Sequence, residues 1–286
     1  MARLRVAVVA DSAAALDPAL ADRYDIVVVP MCLQVGGRAL SEEDMALEEL
    51  VRHLDHGVQT SAPSPGAFDA AVQAAAARGA ESVLVLTVGS NLSSSYQSAA
   101  AAASVAPAGV EVHVVDSGTA AGAEALVVLA AAEAAQGGRS LEEVERRAHM
   151  VASRVRLVAS VEELKYLVRG GRLTAAATRA GEHLGVRPVF ELRKGKVRPL
   201  RPSLSSDGAV DQILAQWRRS IPDAGKLHVV ALSAMRDEDA TALLEKVEAE
   251  VEPATALVGK FGPVMVAHTG PGVIGLAWWW ESPGRN

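Results

Sequence analysis

The sequence predicts an α/β fold of two domains: an N-terminal doubly wound domain with a mostly parallel sheet over 1–157, and a C-terminal α/β domain with a mostly antiparallel sheet over 158–286. Three observations predict it. Short apolar runs alternate with helical stretches through the first half, the signature of a doubly wound sheet. That regime changes near residue 157, where hairpin-like patterns begin. The 286 residues, half of them hydrophobic, suffice for two cores.

In chain order, "RVAVVA" is a strand, Pro18 to Asp22 a helix, "DIVVVPM" a strand and "LEELVRHL" part of an amphipathic helix. A helix is expected from about Ala67, then the strand "SVLVLTV", the helix "QSAAAAAS", the strand "VEVHVV" and the helix "AEALVVLAAAEAAQG". Beyond the boundary come "RVRLVAS" as a strand, a helix near "VEELKYLV", and "PVFELRKGKVRPL", whose Lys194-Gly195 turn joins two antiparallel strands. "LHVVALSA" is a strand, "DEDATALLEKVEAEV" a helix, and "VMVAHTGPGVIGLAWWW" supplies two final strands. Of the consecutive tryptophans, Trp278 and Trp280 share one face of the last strand and Trp279 takes the other, a pattern suited to core packing.

Charge and composition exclude several function classes. A net charge of −6 with no lysine-arginine block argues against nucleic acid as a partner. The single cysteine, Cys32, rules out an internal disulfide and fits a buried small hydrophobe in a reducing cytoplasm. No leader pattern and no apolar run of about 18 residues is present, so a cytoplasmic protein without an integral membrane segment is expected.

Other motifs fail on context. Gly270-Pro271-Gly272-Val273-Ile274-Gly275 matches G-x-G-x-x-G, but the chain ends before the acidic residue a dinucleotide site needs about 20 positions on. His53 and His56 lack the partners of a metal site, and no metal or organic cofactor is expected. The G-x-S-x-G elbow and the phosphate-binding G-x-x-x-x-G-K-[ST] loop are both absent. Asp11 and Ser12 read as caps of the first helix.

The segment "GSNLSSSYQSAA" places five serines and an asparagine between a strand and a helix. The first turn of that helix carries unpaired N–H groups and the positive end of the dipole, which attract an anion. Ordinary capping by Ser90, Asn91 or Ser93 accounts for one hydroxyl; an anion site accounts for more. Thr60-Ser61-Ala62-Pro63-Ser64-Pro65-Gly66 repeats the theme, with a hydroxyl pair before a proline-restricted helix start. His268 follows "VMVA" at a strand end, where it serves as a neutral donor or, when protonated, as a cation.

Together "VVADSAAAL", "TSAPSPGAF", "NLSSSYQSA", "VVDSGTAAG", "LKYLVRGGRL", "VRPVFELRKGKV" and "AHTGPGVIGLAW" resemble, in order and over nearly the whole chain, the motifs of the DegV family. The resemblance implies a lipid-binding subunit of bacterial fatty-acid kinase, with one long-chain fatty acid held between the domains. It assigns the carboxylate to Thr60, Ser93 and His268, with Ser61, Asn91, Ser94 and Gly270 supporting them. It further implies that a partner kinase phosphorylates the bound carboxylate, with Arg172 as a partner contact, and that brief contact with a membrane surface permits lipid exchange.

The chain departs from the family pattern at Ser94, where glycine is usual, at Ala62 for glutamine, and at Leu204, where arginine is expected. Two alternatives therefore stand beside the carrier: a lipid-responsive regulatory module without kinase coupling, and a hydrolase with Ser93 as nucleophile and His268 as base. For a fatty acid the tail dominates the energetics. About 15 methylenes at roughly 0.8 kcal/mol each outweigh charge-assisted hydrogen bonds of about 1.5–3 kcal/mol. The tail sets affinity and the head group sets register.

Overall fold

The computed structural model describes residues 6–172 and 186–283; Leu173, the last residue of the "LKYLVRGGRL" motif, lies outside them. Strands β1 (Val6–Asp11), β2 (Ile26–Val29), β6 (Ser82–Thr87) and β7 (Glu111–Asp116) form an all-parallel sheet in the order β2-β1-β6-β7. Every residue of β1 and β6 is buried, because helices cover both faces. Their sequences are correspondingly apolar throughout instead of alternating. On one face α3 (Pro65–Ala77) and α4 (Ser95–Ala103) pack Phe68, Val72 and Ala99 against Val9, Val83 and Val85.

The other face meets α5 (Ala121–Gln136), which is apolar nearly all round because it is sandwiched between two sheets. Gly122 lets it approach the second sheet: a Cβ there would sit 2.6 Å from Leu232 Cδ1. That second sheet comprises β8 (Arg156–Ser160), β9 (Val189–Arg193), β10 (Lys196–Pro199), β11 (Lys226–Ser233), β12 (Thr255–Lys260) and β13 (Ile274–Glu281), ordered β10-β9-β8-β13-β11-β12. Only the β11–β12 pair is parallel. The expected Lys194-Gly195 hairpin is present, with φ of 50° and 71° at the two turn residues, the left-handed pair that a two-residue hairpin turn uses. Helices α8 (Ser206–Arg218) and α9 (Asp237–Glu248) close the outer face around Trp217, Leu227 and Trp278.

The tryptophan triplet is core. Trp278 and Trp279 are buried, the Trp278 and Trp280 indoles both donate to Ser220 Oγ, and Trp279 stacks on His228. The remaining helices are α1 (Pro18–Arg23), α2 (Leu47–His53), α6 (Leu141–Arg154) and α7 (Lys165–Arg169).

The structure corrects one strand. "VMVAHT" is helix α10 (Pro263–Thr269), and only β13 follows it. Pro263 occupies the first turn, where its fixed φ starts a helix, and Gly270 at φ 79° stops it. The valines that suggested a strand point instead into the core. The hydroxyl pair Thr60-Ser61 is likewise not a helix cap: it lies in β5 (Gln59–Ser61), which pairs antiparallel with β3 (Cys32–Val35), itself paired with β4 (Arg38–Ser41). The cap of α3 is Ser64, whose hydroxyl accepts from Ala67 N.

Candidate functional site

A cavity of about 290 Å³ lies between the two sheets. That is many times the roughly 10–15 Å³ a water molecule needs. Its walls come from both halves: Met31, Val88, Leu92 and, at the boundary, Leu157 from one, and Phe190, Leu192, Phe261 and Met265 from the other. The β9–β10 hairpin is pinned across the boundary, since Gly195 N donates to Gly118 O at 2.5 Å and Asn91 Nδ2 donates to Gly195 O at 3.2 Å.

Polar groups enter this mostly aliphatic space at one locality. Thr60 Oγ1 and His268 Nε2 are 2.8 Å apart, joining β5 to α10. Ser61, Ser93 and Ser94 also line the cavity, as does Arg172, whose guanidinium donates through Nε to Leu92 O at 2.9 Å, beside Ser93.

The serine-rich loop divides its hydroxyls among separate tasks. Ser90 binds Asp116 through both its amide, at 3.1 Å, and its hydroxyl. Ser93 Oγ accepts from Ser95 N and lies 3.0 Å from Ser95 Oγ. Ser95, the first residue of α4, is fully buried, while Ser94 precedes it with its side chain free of any capping bond. Ser93 therefore sits at the mouth of α4, with its hydroxyl in the cavity wall.

Burial, then the neighbouring Arg172 charge, depress the His268 pKa to about 4, so the imidazole is neutral at physiological pH. Among the described residues its buried Nδ1 has no hydrogen-bond partner. The ring is fixed from below by Gly170, where a Cβ would stand only 2.3 Å from Nδ1. The helix that carries it is fixed from the other half of the chain: the buried Glu42 carboxylate accepts from Val264 N at 2.9 Å, in the first turn of α10, and from the Ser12 hydroxyl. An anion at a helix N-terminus is stabilising, although burial still raises the Glu42 pKa.

Six sequence-predicted residues thus line one cavity: Thr60, Ser61, Ser93, Ser94, Arg172 and His268. Two do not. Asn91 holds the hairpin, and Gly270 turns the chain after α10 against the Tyr166 ring, 2.7 Å from where a Cβ would be. Arg172, expected as a partner contact, is half-buried in the wall, and burial lowers its pKa without removing its charge at neutral pH. Buried carboxyls were missed, among them Glu42, Glu124, and Asp11 as more than a cap. Glu124 carried a legible signal, a lone acid at the head of the otherwise apolar "AEALVVLAAA".

Ser93 and His268 do not bond to each other. Each hydroxyl or imidazole contact goes elsewhere, Ser93 to Ser95 and His268 to Thr60, so the pairing of nucleophile and base required by the hydrolase alternative is not formed.

Comparison with known proteins fits this architecture. The DegV family model matches residues 5–281. A DegV domain-containing protein of Streptomyces coelicolor is 33% identical over 95% of this chain and 97% of its own length. A fatty acid-binding protein of Thermotoga maritima is 27% identical over 96% of this chain and 97% of its own. Among solved structures, a fatty-acid-binding DegV family protein from Thermus thermophilus superposes with a TM-score of 0.89 at 30% identity, covering 96% of this chain and 99% of that one.

Proposed function

The chain belongs to the DegV family, and from that membership and the cavity we propose that it binds one long-chain fatty acid between the halves 1–157 and 158–286. The carboxylate is received by the hydroxyls of Thr60 and Ser93 and by neutral His268, with Arg172 supplying the opposing charge. The acyl chain occupies the aliphatic remainder. The observation that carries this reading is the convergence of those four side chains at one locality of an otherwise apolar cavity. Relatives described as fatty-acid-binding support it.

In this reading the protein is a carrier that presents the carboxylate to a partner kinase, which forms the acyl phosphate. Leu204 favours a second reading, the regulatory module. It stands 84% exposed on the loop before α8, where the family resemblance leads one to expect arginine.

The test of binding is solvent extraction of the purified protein followed by mass spectrometry, and titration of delipidated protein with tetradecanoic to octadecanoic acids. Copurifying fatty acid and saturable binding are expected; a delipidated protein that binds none of them contradicts the proposal. Conversion of the bound acid to an acyl phosphate by a kinase and ATP separates the carrier from the regulatory module.

A further inference from the structure

Helix α10 carries His268 but begins without a cap of its own. Its cap position is Gly262, which has no side chain, and the next residue, Pro263, has no N–H. The first amide in need of an acceptor is therefore Val264 N, and Glu42, 222 positions away in sequence, supplies one at 2.9 Å. Gly262 keeps the place clear: a Cβ there would stand 2.5 Å from Glu42 Oε1. The backbone at Gly262, with φ of −69° and ψ of 169°, suits any residue, so it is the carboxylate that excludes a side chain.

Glu42 is itself held firmly. It directly follows β4 and is buried, and its N–H donates to Met31 O at 2.9 Å. Its second carboxylate oxygen accepts from the Ser12 hydroxyl, which in turn accepts from Met31 N at 3.0 Å. One side chain thus ties the end of β1 and the small sheet β3–β4–β5 to α10. The same small sheet grips the other end of the helix, because Thr60 on β5 lies 2.8 Å from His268 Nε2. Val264 and His268 are four residues apart, about 6 Å along a helix and on nearly one face, so a shift at the first reaches the second. Ala13, Met31 and Val264 line the cavity; Glu42 stands behind them and is not in its wall.

We propose that Glu42 is a positioning residue for the head group: by holding the start of α10 it sets where His268 stands beside Thr60 and Ser93. The small sheet and α10 then act as one clamp on the carboxylate, gripped at Val264 by Glu42 and at His268 by Thr60. The inference rests on the fatty-acid reading and adds a residue that acts through the helix, without touching the ligand. Its signature is selectivity. A displaced imidazole disturbs an ionised head group and leaves the acyl chain where it was.

The test is calorimetric titration of the delipidated protein with hexadecanoate and with methyl hexadecanoate. Glu42→Ala should bind the acid about tenfold more weakly and the ester within about twofold of wild type. Glu42→Gln keeps an acceptor for Val264 N and should recover most of the loss. Gly262→Ala should also weaken the acid about tenfold, by driving the carboxylate off Val264 N. Combined with Glu42→Ala it should add nothing, because the clash has gone; independent effects would multiply to roughly a hundredfold. Wild-type affinity in both single variants, equal losses for acid and ester, or multiplied losses in the double variant overturn the inference and leave the fatty-acid reading intact. Absence of hexadecanoate binding by wild type overturns both. If Glu42→Ala fails to fold, Gly262→Ala with the acid and the ester decides the matter.

Discussion

On the N-terminal wall of the cavity the strand ends satisfy their polar groups among themselves: Ser90 with Asp116, Asp11 with the amides of Ala13 and Val88, Ser93 with Ser95. The C-terminal wall is built differently. Among the described residues His268 Nδ1 is buried with no hydrogen-bond partner, Arg172 bonds to the Leu92 and Gly170 carbonyls, and the surrounding surface is Phe190, Leu192 and Phe261. The first wall is a preset hydrogen-bond network whose donors are already oriented. The second offers charge and apolar area that only a ligand can complete. An amphipathic molecule matches that division, with its head against the network and its tail against the aliphatic face.

The largest expected effect addresses the apolar wall. Lengthening the ligand from dodecanoic to hexadecanoic acid adds about four methylenes at roughly 0.8 kcal/mol each, so affinity should rise about two hundredfold by calorimetry. No gain with chain length would mean that the tail lies outside the cavity.

Next comes charge. Arg172→Gln should weaken hexadecanoate binding by roughly ten- to a hundredfold, the worth of a charge-assisted hydrogen bond, while leaving the neutral methyl ester nearly unaffected. Equal losses for acid and ester would reduce Arg172 to a structural role.

Gly170→Ala tests how firmly the imidazole is held. A Cβ 2.3 Å from Nδ1 forces His268 or the α7 turn to move, and overpacking of this kind costs about 1–3 kcal/mol. About tenfold weaker binding and a lowered melting temperature are expected; wild-type values for both would show the ring to be mobile.

Thr60→Val removes one hydroxyl at constant shape and should cost about 1 kcal/mol, near fivefold in affinity. The smallest effect concerns His268 itself. Held near 4, it is neutral from about pH 6 to 8, so hexadecanoate affinity should show no loss with rising pH across that window. A decline would place a cation at His268.

How much of this was legible depended on whether local pattern and tertiary context agreed. The parallel strands announced themselves because burial on both faces leaves nothing but apolar residues, as in "VAVVA" and "SVLVLT". The Lys194-Gly195 hairpin followed from turn chemistry alone. "VMVAHT" was misread because β-branched residues mimic a strand when the decisive contacts, Glu42 on the helix start and Tyr166 against Gly270, come from distant segments. The β3–β4–β5 sheet, β12, α6 and α8 gave weaker or overlooked patterns, although the Ser140 and Glu143 capping box at the start of α6 was readable.

For the site, the family motifs marked Thr60, Ser93 and His268, and the structure brings all three to one cavity. Arg172 was expected as a partner contact; Leu92 O and Gly170 O hold its guanidinium at the cavity wall, a placement that its glycine-rich neighbourhood does not encode. The packing of α5 against β1, which buries both Asp11 and Glu124, was beyond reach, since no periodicity joins such distant segments.

The most direct test of the central claim is a crystal structure of the delipidated protein reloaded with hexadecanoic acid. The carboxylate should lie within hydrogen-bonding distance of the Thr60 and Ser93 hydroxyls and beside His268 and Arg172, with the chain running between Leu157, Leu192 and Phe261. A fatty acid lying in the reverse direction, or bound at another surface with this cavity unfilled, would contradict it.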